Sequence, residues 1–192
     1  MKKTIFLFLV YLLMGCATNT QEKDAQLNRE VIGLKPESGL RKTKMVRFSD
    51  SIQADIFRLE ALGKELANSQ VVFSVVSYRG TVIYKKTFSP DELLGYDNSI
   101  DGEVRGDQIS EKDWLEKLVR NKFNIFFNDQ NFHKDAIEDD VQYYSDSCFP
   151  EEPIWEMIKQ NRYPSFSFNV MDELVFQIVY VPQLNKVVEF AQ

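Results

Sequence analysis

The chain has 192 residues, enough for a targeting segment, a linker and one domain of ordinary size. Hydrophobic residues make up 44% and charged residues 27%, a composition typical of globular rather than disordered chains. The net charge of −6 argues against a nucleic-acid-binding protein, because such proteins need clustered Lys and Arg to neutralise phosphates. Two cysteines exclude a disulfide scaffold, and one histidine excludes a multi-histidine metal site.

The N-terminus has the pattern of a secretory signal. Lys2 and Lys3 precede an unbroken apolar run over residues 5–14. The run is shorter than the roughly 20 residues that a membrane-spanning helix needs, and it fits the apolar core of a signal peptide. It ends in the sequence LMGC, which resembles a bacterial lipobox. The resemblance implies cleavage after Gly15 and acylation of Cys16; an ordinary signal peptide with an incidental cysteine is the alternative.

Acylation would hold the protein at a lipid bilayer without a transmembrane helix, because two or more acyl chains anchor firmly. Ala17, rather than Asp, follows Cys16, which favours the outer membrane in bacteria whose sorting reads that position. We therefore expect a lipid-anchored protein of the cell envelope. Loss of Lys2 and Lys3 with residues 1–15 would change the net charge from −6 to −8, so the folded part gains nothing from an anionic membrane surface.

The organisation after the signal is predicted to be a tether and one domain. Residues 16–49 are largely polar with little periodicity and predict a flexible tether; a first strand near Lys44–Phe48 is the alternative. The single domain is expected over residues 50–192. A helix is predicted over residues 50–67, because apolar residues recur there at helical spacing. These residues are Ile52, Ile56, Leu59, Leu62 and Leu66.

Strand and cap signals dominate the next part of the chain. Two β-rich runs over residues 70–78 and 81–88 predict a hairpin around Arg79-Gly80. Ser89 and Pro90 are typical of a helix start, and Ser110 can cap a second helix that reaches about residue 123. Two alternatives are open for residues 125–127, which either extend this helix or begin a strand.

The C-terminal part predicts a helix within residues 150–161 and a three-stranded meander. Alternation over residues 165–170 places Phe166, Phe168 and Val170 on one face, and residues 174–181 are apolar on both faces, as in a central strand. Residues 186–190 form the third strand. The fold class is therefore α+β, an antiparallel sheet of hairpin and meander covered by helices.

Two side chains with reactive chemistry stand alone in the sequence. His133 has neither a nucleophile nor an orienting carboxylate in its neighbourhood, so we predict an exposed loop histidine rather than a catalytic one. Cys148 would have no intramolecular disulfide partner once Cys16 is acylated. It is predicted to be buried and structural, with a reactive thiol as the alternative. No cofactor is expected.

Residues 97–108 resemble a calcium-binding loop. Asp97, Ser99 and Asp101 occupy positions 1, 3 and 5, and Gly102 occupies position 6. Position 12 should be a bidentate acid, but it is Gln108. The favoured interpretation is an acidic loop without metal, and calcium binding is the alternative.

An acidic and aromatic stretch over residues 135–152 is the candidate partner-binding surface. It interleaves carboxylates with aromatic rings, and a short strand over residues 141–144 would turn one of two adjacent tyrosines outward. Exposed aromatics anchor interfaces and charge steers association, so docking of a basic protein partner is the functional hypothesis, whereas a solvated acidic loop is the favoured interpretation. The candidate residues are Asp139, Asp140, Tyr143, Tyr144 and Asp146.

The features LMGC, the polar tether, YRGTVIYKKTF and VFQIVYVP together resemble the layout of small lipoproteins of unknown function common in Bacteroidetes. The resemblance implies an envelope lipoprotein and carries over no catalytic residue. Three functions remain open: a binding or accessory module for a protein or glycan partner, an inhibitor or immunity-type protein against a toxin or hydrolase, and an enzyme without a recognisable motif. The first is favoured because no acid–base or nucleophile set is visible.

Overall fold

The computed structural model describes residues 39–95, 110–145, 148–170 and 175–191. Within these ranges the chain forms two four-stranded antiparallel sheets and three α-helices. The predicted α+β class is confirmed. The hairpin and the meander are both present, but they belong to two different sheets that face each other.

The first sheet follows the order of the chain, and each strand is antiparallel to its neighbour. Its strands are β1 (Arg41–Val46), β2 (Asp55–Leu62), β3 (Gln70–Val76) and β4 (Val82–Phe88). The predicted hairpin is the β3–β4 pair. Its turn closes when the Gly80 N–H donates to the Ser77 carbonyl at 2.8 Å, and Gly80 takes a φ of 82°, which favours glycine.

The predicted helix over residues 50–67 is wrong, because β2 occupies most of that segment and a single 3-10 turn (Leu66–Asn68) follows it. Alternate residues of β2, including Phe57 and Leu59, are fully buried, which is the period of a strand. The charged residues between them, Arg58 and Glu60, are also buried. Ile56 and Leu62 lie on the same face of the strand as these charged residues, and their three-residue spacing with Leu59 produced the helix-like pattern.

The expectation of a tether is wrong for its last part, since β1 pairs with β2 along its whole length. The alternative of a first strand near Lys44–Phe48 is confirmed with an earlier start, at Arg41. Phe48, just after the strand, is buried in the core. The polar composition of β1 reflects its place at the edge of the sheet, where charged side chains are common.

In the second sheet the strands lie side by side in the same order as in the sequence, and each is antiparallel to its neighbour, so the predicted meander is confirmed. Its strands are β5 (Phe132–His133), β6 (Ser165–Asn169), β7 (Val175–Val181) and β8 (Lys186–Ala191). Strand β7 lies between β6 and β8, which explains why it is apolar on both faces. The turn expected around residues 171–173 lies outside the described residues.

The helices are α1 (Pro90–Leu94), α2 (Glu111–Ile125) and α3 (Glu152–Asn161). Both predicted starts are confirmed: Ser89 and Glu92 form a capping box at α1, and the Ser110 hydroxyl accepts from the Asp113 N–H at α2. Residue Ile125 ends α2, so the chain beyond it turns instead of starting a strand at once. Among the described residues, no helix is both long enough and apolar enough to cross a membrane.

Phenylalanine rings fill the space between the two sheets. Phe166 of the second sheet lies 5.4 Å from both Phe57 and Phe73 of the first, measured between ring centroids, and Phe168 lies 5.3 Å from Phe73. Most of these pairs are edge-to-face, the arrangement that the ring quadrupole favours. Helices α1 and α2 contribute further buried residues, so this phenylalanine cluster is the main core.

Lysines close both sides of this core. The Lys44 ammonium of β1 lies 4.5 Å from the Phe132 ring centroid, and the Lys86 ammonium of β4 lies 3.5 Å from that of Phe176. Each ammonium also forms an ion pair, with Asp129 and Glu189 respectively. Each lysine therefore covers an aromatic ring of the opposite sheet while its charge is paired.

A second, smaller core lies on the other face of the second sheet. Trp155 and Ile158 of α3 are fully buried against Val179, Val181 and Phe190. The predicted inward face of this helix is thereby confirmed. In the described residues, the first sheet, the second sheet and α3 are stacked in that order, with hydrophobic contacts on both sides of the second sheet.

A buried carboxylate joins the two turns at one end of the first sheet. Asp55 accepts hydrogen bonds from the Ser49 N–H at 2.5 Å, the Ser49 hydroxyl at 2.9 Å and the Tyr78 N–H at 2.8 Å. The carboxylate is fully buried, and its three bonds replace the water that it loses. The β1–β2 and β3–β4 connections are thus held together by a single side chain.

A substitution of Ile178 tests whether β7 is a central strand with both faces buried. Ile178 is fully buried against the phenylalanine cluster, so Ile178→Asp would bury an unpaired carboxylate and should lower the free energy of unfolding by about 3 kcal/mol or more. Ser167→Asp, on the opposite face of β6, should change it by less than about 1 kcal/mol. Urea unfolding monitored by circular dichroism measures both, and equal losses would contradict the assignment.

The partly buried phenol of Tyr84 should make the free energy of unfolding fall at alkaline pH. Burial raises the pKa of this phenol, and the hydrogen bond to Glu189 and the charge of that carboxylate raise it further. Above about pH 10 the unfolded phenol ionises while the folded one stays protonated, so the free energy of unfolding falls as pH rises. Tyr84→Phe should reduce this fall by at most about 1.4 kcal/mol per pH unit.

Urea unfolding at neutral pH and at about pH 11 measures the effect. At neutral pH the variant loses only one hydrogen bond, about 1 kcal/mol, which sets the baseline. The same decline with pH in the wild type and the variant would show that Tyr84 does not contribute.

Candidate functional site

The candidate partner-binding stretch begins as a ledge on the second sheet. We call residues 135–145 the acidic ledge. Its inner residues Ala136 and Ile137 are buried in the smaller core. The Ala136 N–H donates to the Tyr163 carbonyl at 2.8 Å, and the Gln177 amide donates to the Ala136 carbonyl at 2.9 Å. The start of the ledge is therefore fixed to β7 and to the segment before β6.

Basic side chains from the end of α3 hold the rest of the ledge. Arg162 pairs with Asp139 at 2.6 Å and with Asp135 at 3.4 Å, and the Lys159 ammonium donates to the Val141 carbonyl at 2.6 Å. Arg162 ends α3 in the left-handed conformation, with a φ of 51°. A left-handed backbone is strained for a residue other than glycine. At this position the Arg162 side chain forms charge-assisted ion pairs with two carboxylates.

The strand predicted over residues 141–144 is wrong. The Val141 N–H donates to the Glu138 carbonyl within the ledge itself, and its carbonyl bonds to Lys159, so these groups are satisfied without a neighbouring strand. The expected separation of the two tyrosines nevertheless occurs. The ring of Tyr143 lies 6.0 Å from that of Trp155, whereas Tyr144 is 68% exposed.

The outer side of the ledge combines apolar and acidic groups. Val141 is 39% exposed beside the more exposed Tyr144. Glu138 and Asp140 are exposed too, and neither takes part in an ion pair among the described residues. Of the sequence-predicted acids, Asp140 is thus exposed without an ion pair to any described residue, and Asp139 is paired with Arg162. Asp146 lies outside the described residues.

The prediction that Cys148 is buried is wrong, since its side chain is exposed. Its carbonyl accepts from the Ala191 N–H at 3.0 Å, which attaches the segment to the end of β8. The next residue, Phe149, takes the inward position and places its ring 5.3 Å from Trp155.

His133 is exposed on β5, and its Nε2 lies 2.8 Å from the Ser167 hydroxyl. Sequence inspection missed Ser167, because the two residues are 34 positions apart. In the described part of the chain no carboxylate is hydrogen-bonded to the imidazole, so the geometry is a pair and not a triad.

The calcium-loop candidates Asp97, Ser99 and Asp101 lie outside the described residues. Within the described ranges, no group of three or more His, Cys, Asp and Glu side chains could hold a metal ion.

A shallow pocket of about 190 Å³ lies where α2 ends. It is lined by Lys122, Ile125, Phe126, Asn128, Asn131 and Asn169. Of these lining residues, only Asn128 and Asn131 form a pattern that is visible in the sequence, because closely spaced asparagines are typical of turns. Asn169 arrives from β6 and could not have been associated with them from the sequence.

The acidic ledge is the exposed surface that best combines a fixed backbone, an aromatic anchor and unpaired charge. Tyrosine is enriched among residues that dominate binding energy, and a charged rim speeds association. Comparisons with protein-family models, with curated proteins and with solved structures each found no match.

Proposed function

We propose that this chain is a lipid-anchored binding protein of the bacterial cell envelope, held at the outer membrane through Cys16, and that its acidic ledge binds a basic protein partner. The exposed Tyr144, three residues after a backbone carbonyl that accepts a hydrogen bond from Lys159, is the observation that carries the binding role. The sequence LMGC after a charged start and an apolar run supports the anchor.

Immobilisation matters because association loses affinity when flexible segments must be ordered. The ledge is held by the Arg162 ion pairs, the Lys159 hydrogen bond and the burial of Ile137. These contacts order its backbone before a partner arrives, so little further conformational entropy is lost on binding. Tyr144 can then bury most of its ring in a pocket of the partner, which is how aromatic anchors contribute.

Charge indicates the chemistry of the partner. Glu138 and Asp140 flank the apolar residues of the ledge, and the whole chain carries a net charge of −6. A basic surface would be attracted over a distance of about one Debye length, roughly 8 Å at physiological salt. An acidic surface, including an anionic membrane, would be repelled.

Acylation of Cys16 is the first expectation. Cells fed labelled palmitate should incorporate the label into the wild-type protein, and Cys16→Ser should abolish it, because the thioether is the site of lipid attachment. Gel fluorography of the immunoprecipitated protein measures the result. Label that persists in Cys16→Ser would contradict the anchor, whereas Cys148→Ser should keep the label and serves as the matched control.

Tyr144 tests the aromatic anchor. A pull-down from envelope extract with the full acylated chain provides the partner, and surface plasmon resonance then gives its kinetics. Tyr144→Ala should speed dissociation by about tenfold or more, equivalent to at least about 1.4 kcal/mol. Tyr78→Ala is the control, since Tyr78 is an exposed tyrosine on the β3–β4 turn. Equal dissociation rates for wild type and Tyr144→Ala would exclude this anchor.

Asp140 tests the steering charge. Asp140→Lys should slow association at low salt and weaken its salt dependence, while the free energy of unfolding changes by about 0.5 kcal/mol or less. Asp91→Lys in α1 alters the net charge equally, but at a site away from the ledge, and it should leave association nearly unchanged. If both variants slow association alike, only the net charge matters and the ledge is not the binding surface.

A further inference from the structure

The pocket at the end of α2 has a chemistry different from that of the acidic ledge. Three of its lining side chains are the carboxamides of Asn128, Asn131 and Asn169, and no carboxylate lines it. Ile125, 59% exposed, supplies an aliphatic wall. The pocket volume of about 190 Å³ is below the roughly 300–1,000 Å³ of pockets that hold drug-sized ligands, so the pocket fits one small group.

Hydrogen bonds fix the segment that forms the pocket wall. The Asn131 amide donates to the Phe126 carbonyl at 3.0 Å, and the Asn128 N–H donates to the Ile125 carbonyl at 2.9 Å. On the far side of this segment, the Lys44 ammonium donates to the Phe127 carbonyl at 2.9 Å. The wall is therefore connected to β1 and to its own helix end before any ligand binds.

These bonds also determine what the amides can offer. Asn131 uses its NH₂ group within the protein and keeps its Oδ1 as an acceptor. Asn128 accepts from the Gln130 N–H at 3.5 Å and keeps its NH₂ group as a donor. Asn169 adds a carboxamide that both donates and accepts. The three carboxamides thus present uncharged donors and acceptors side by side, which matches hydroxyl groups, since a hydroxyl also donates and accepts. Lys122 also lines the pocket and brings an ammonium, which only donates.

Polar surface continues beyond the pocket along β6. Ser167 and Asn169 share the outer face of that strand, because they are two residues apart. Ser167 is hydrogen-bonded to the exposed His133 of β5. A ligand longer than one unit would meet this second pair of neutral polar groups after leaving the pocket.

We infer that this pocket binds one sugar unit of a neutral glycan, with adjoining units along Ser167 and His133. The aliphatic wall at Ile125 suits the C–H face of a pyranose ring, and the amides suit its hydroxyls. This binding is additional to protein capture by the acidic ledge and uses none of the ledge residues, so either can fail without the other.

The test is a titration of the ¹⁵N-labelled full mature chain with chitotriose, maltotriose and mannotriose, and separately with inorganic phosphate. Side-chain amide signals of Asn128, Asn131 and Asn169 should move with at least one trisaccharide, with a Kd of about 1 mM. Asn169→Ala should raise that Kd about five- to tenfold, the effect of losing one hydrogen-bonding group. Asn124→Ala is the matched control on α2, outside the lining, and should keep the wild-type Kd.

Asn128→Asp is the second variant, because it keeps the shape and the acceptor for Gln130 while removing the donor. It should also weaken binding, and circular dichroism melting curves verify that each variant is folded. Three results would overturn the inference: amide signals that stay still with all three trisaccharides, movement with phosphate alone, or wild-type Kd values for both folded variants. Tyr144→Ala should bind the trisaccharide normally.

Discussion

Aromatic packing between two sheets is the interaction on which the rest of this structure depends. Phe73 of the first sheet and Phe166 of the second are both fully buried in one cluster, so each sheet supplies part of the other's core. Edge-to-face contacts also restrict how the sheets can slide, because each ring meets several others at centroid distances of 4.6–6.2 Å. The lysines, the helix caps at Ser89 and Ser110 and the buried Asp55 add local contacts to an arrangement that these rings determine.

The second sheet connects this core to both candidate sites. Its inner face belongs to the phenylalanine cluster, and its outer face supports Trp155 and the start of the acidic ledge. The indole Nε1 of Trp155 is buried and has no hydrogen-bond partner within the described part of the chain, at a cost of about 1–3 kcal/mol, so packing outweighs polarity at this position. We therefore expect substitutions in β6 and β7 to alter the structure of the acidic ledge and of the pocket at the end of α2.

Local patterns predicted the parts of the fold in which a short segment determines its own structure. The β3–β4 hairpin, the C-terminal meander and the caps at Ser89 and Ser110 all follow from residues within a few positions of one another. Prediction failed where distant partners decide: Glu60 is buried in β2 because Arg41 of β1 pairs with it, 19 residues away. In the same way, the Arg162 ion pairs that order the ledge span 23 and 27 residues.

The two inward-pointing lysines have a consequence for how readily the folded protein associates with other chains. Strands β1 and β4 are the edges of the first sheet, and an exposed edge is a template for pairing with another chain. Inward-pointing charged side chains are one of the features by which edge strands resist such pairing, and Lys44 of β1 and Lys86 of β4 are in that position. The same side chains that close the core thus discourage aggregation of the folded protein.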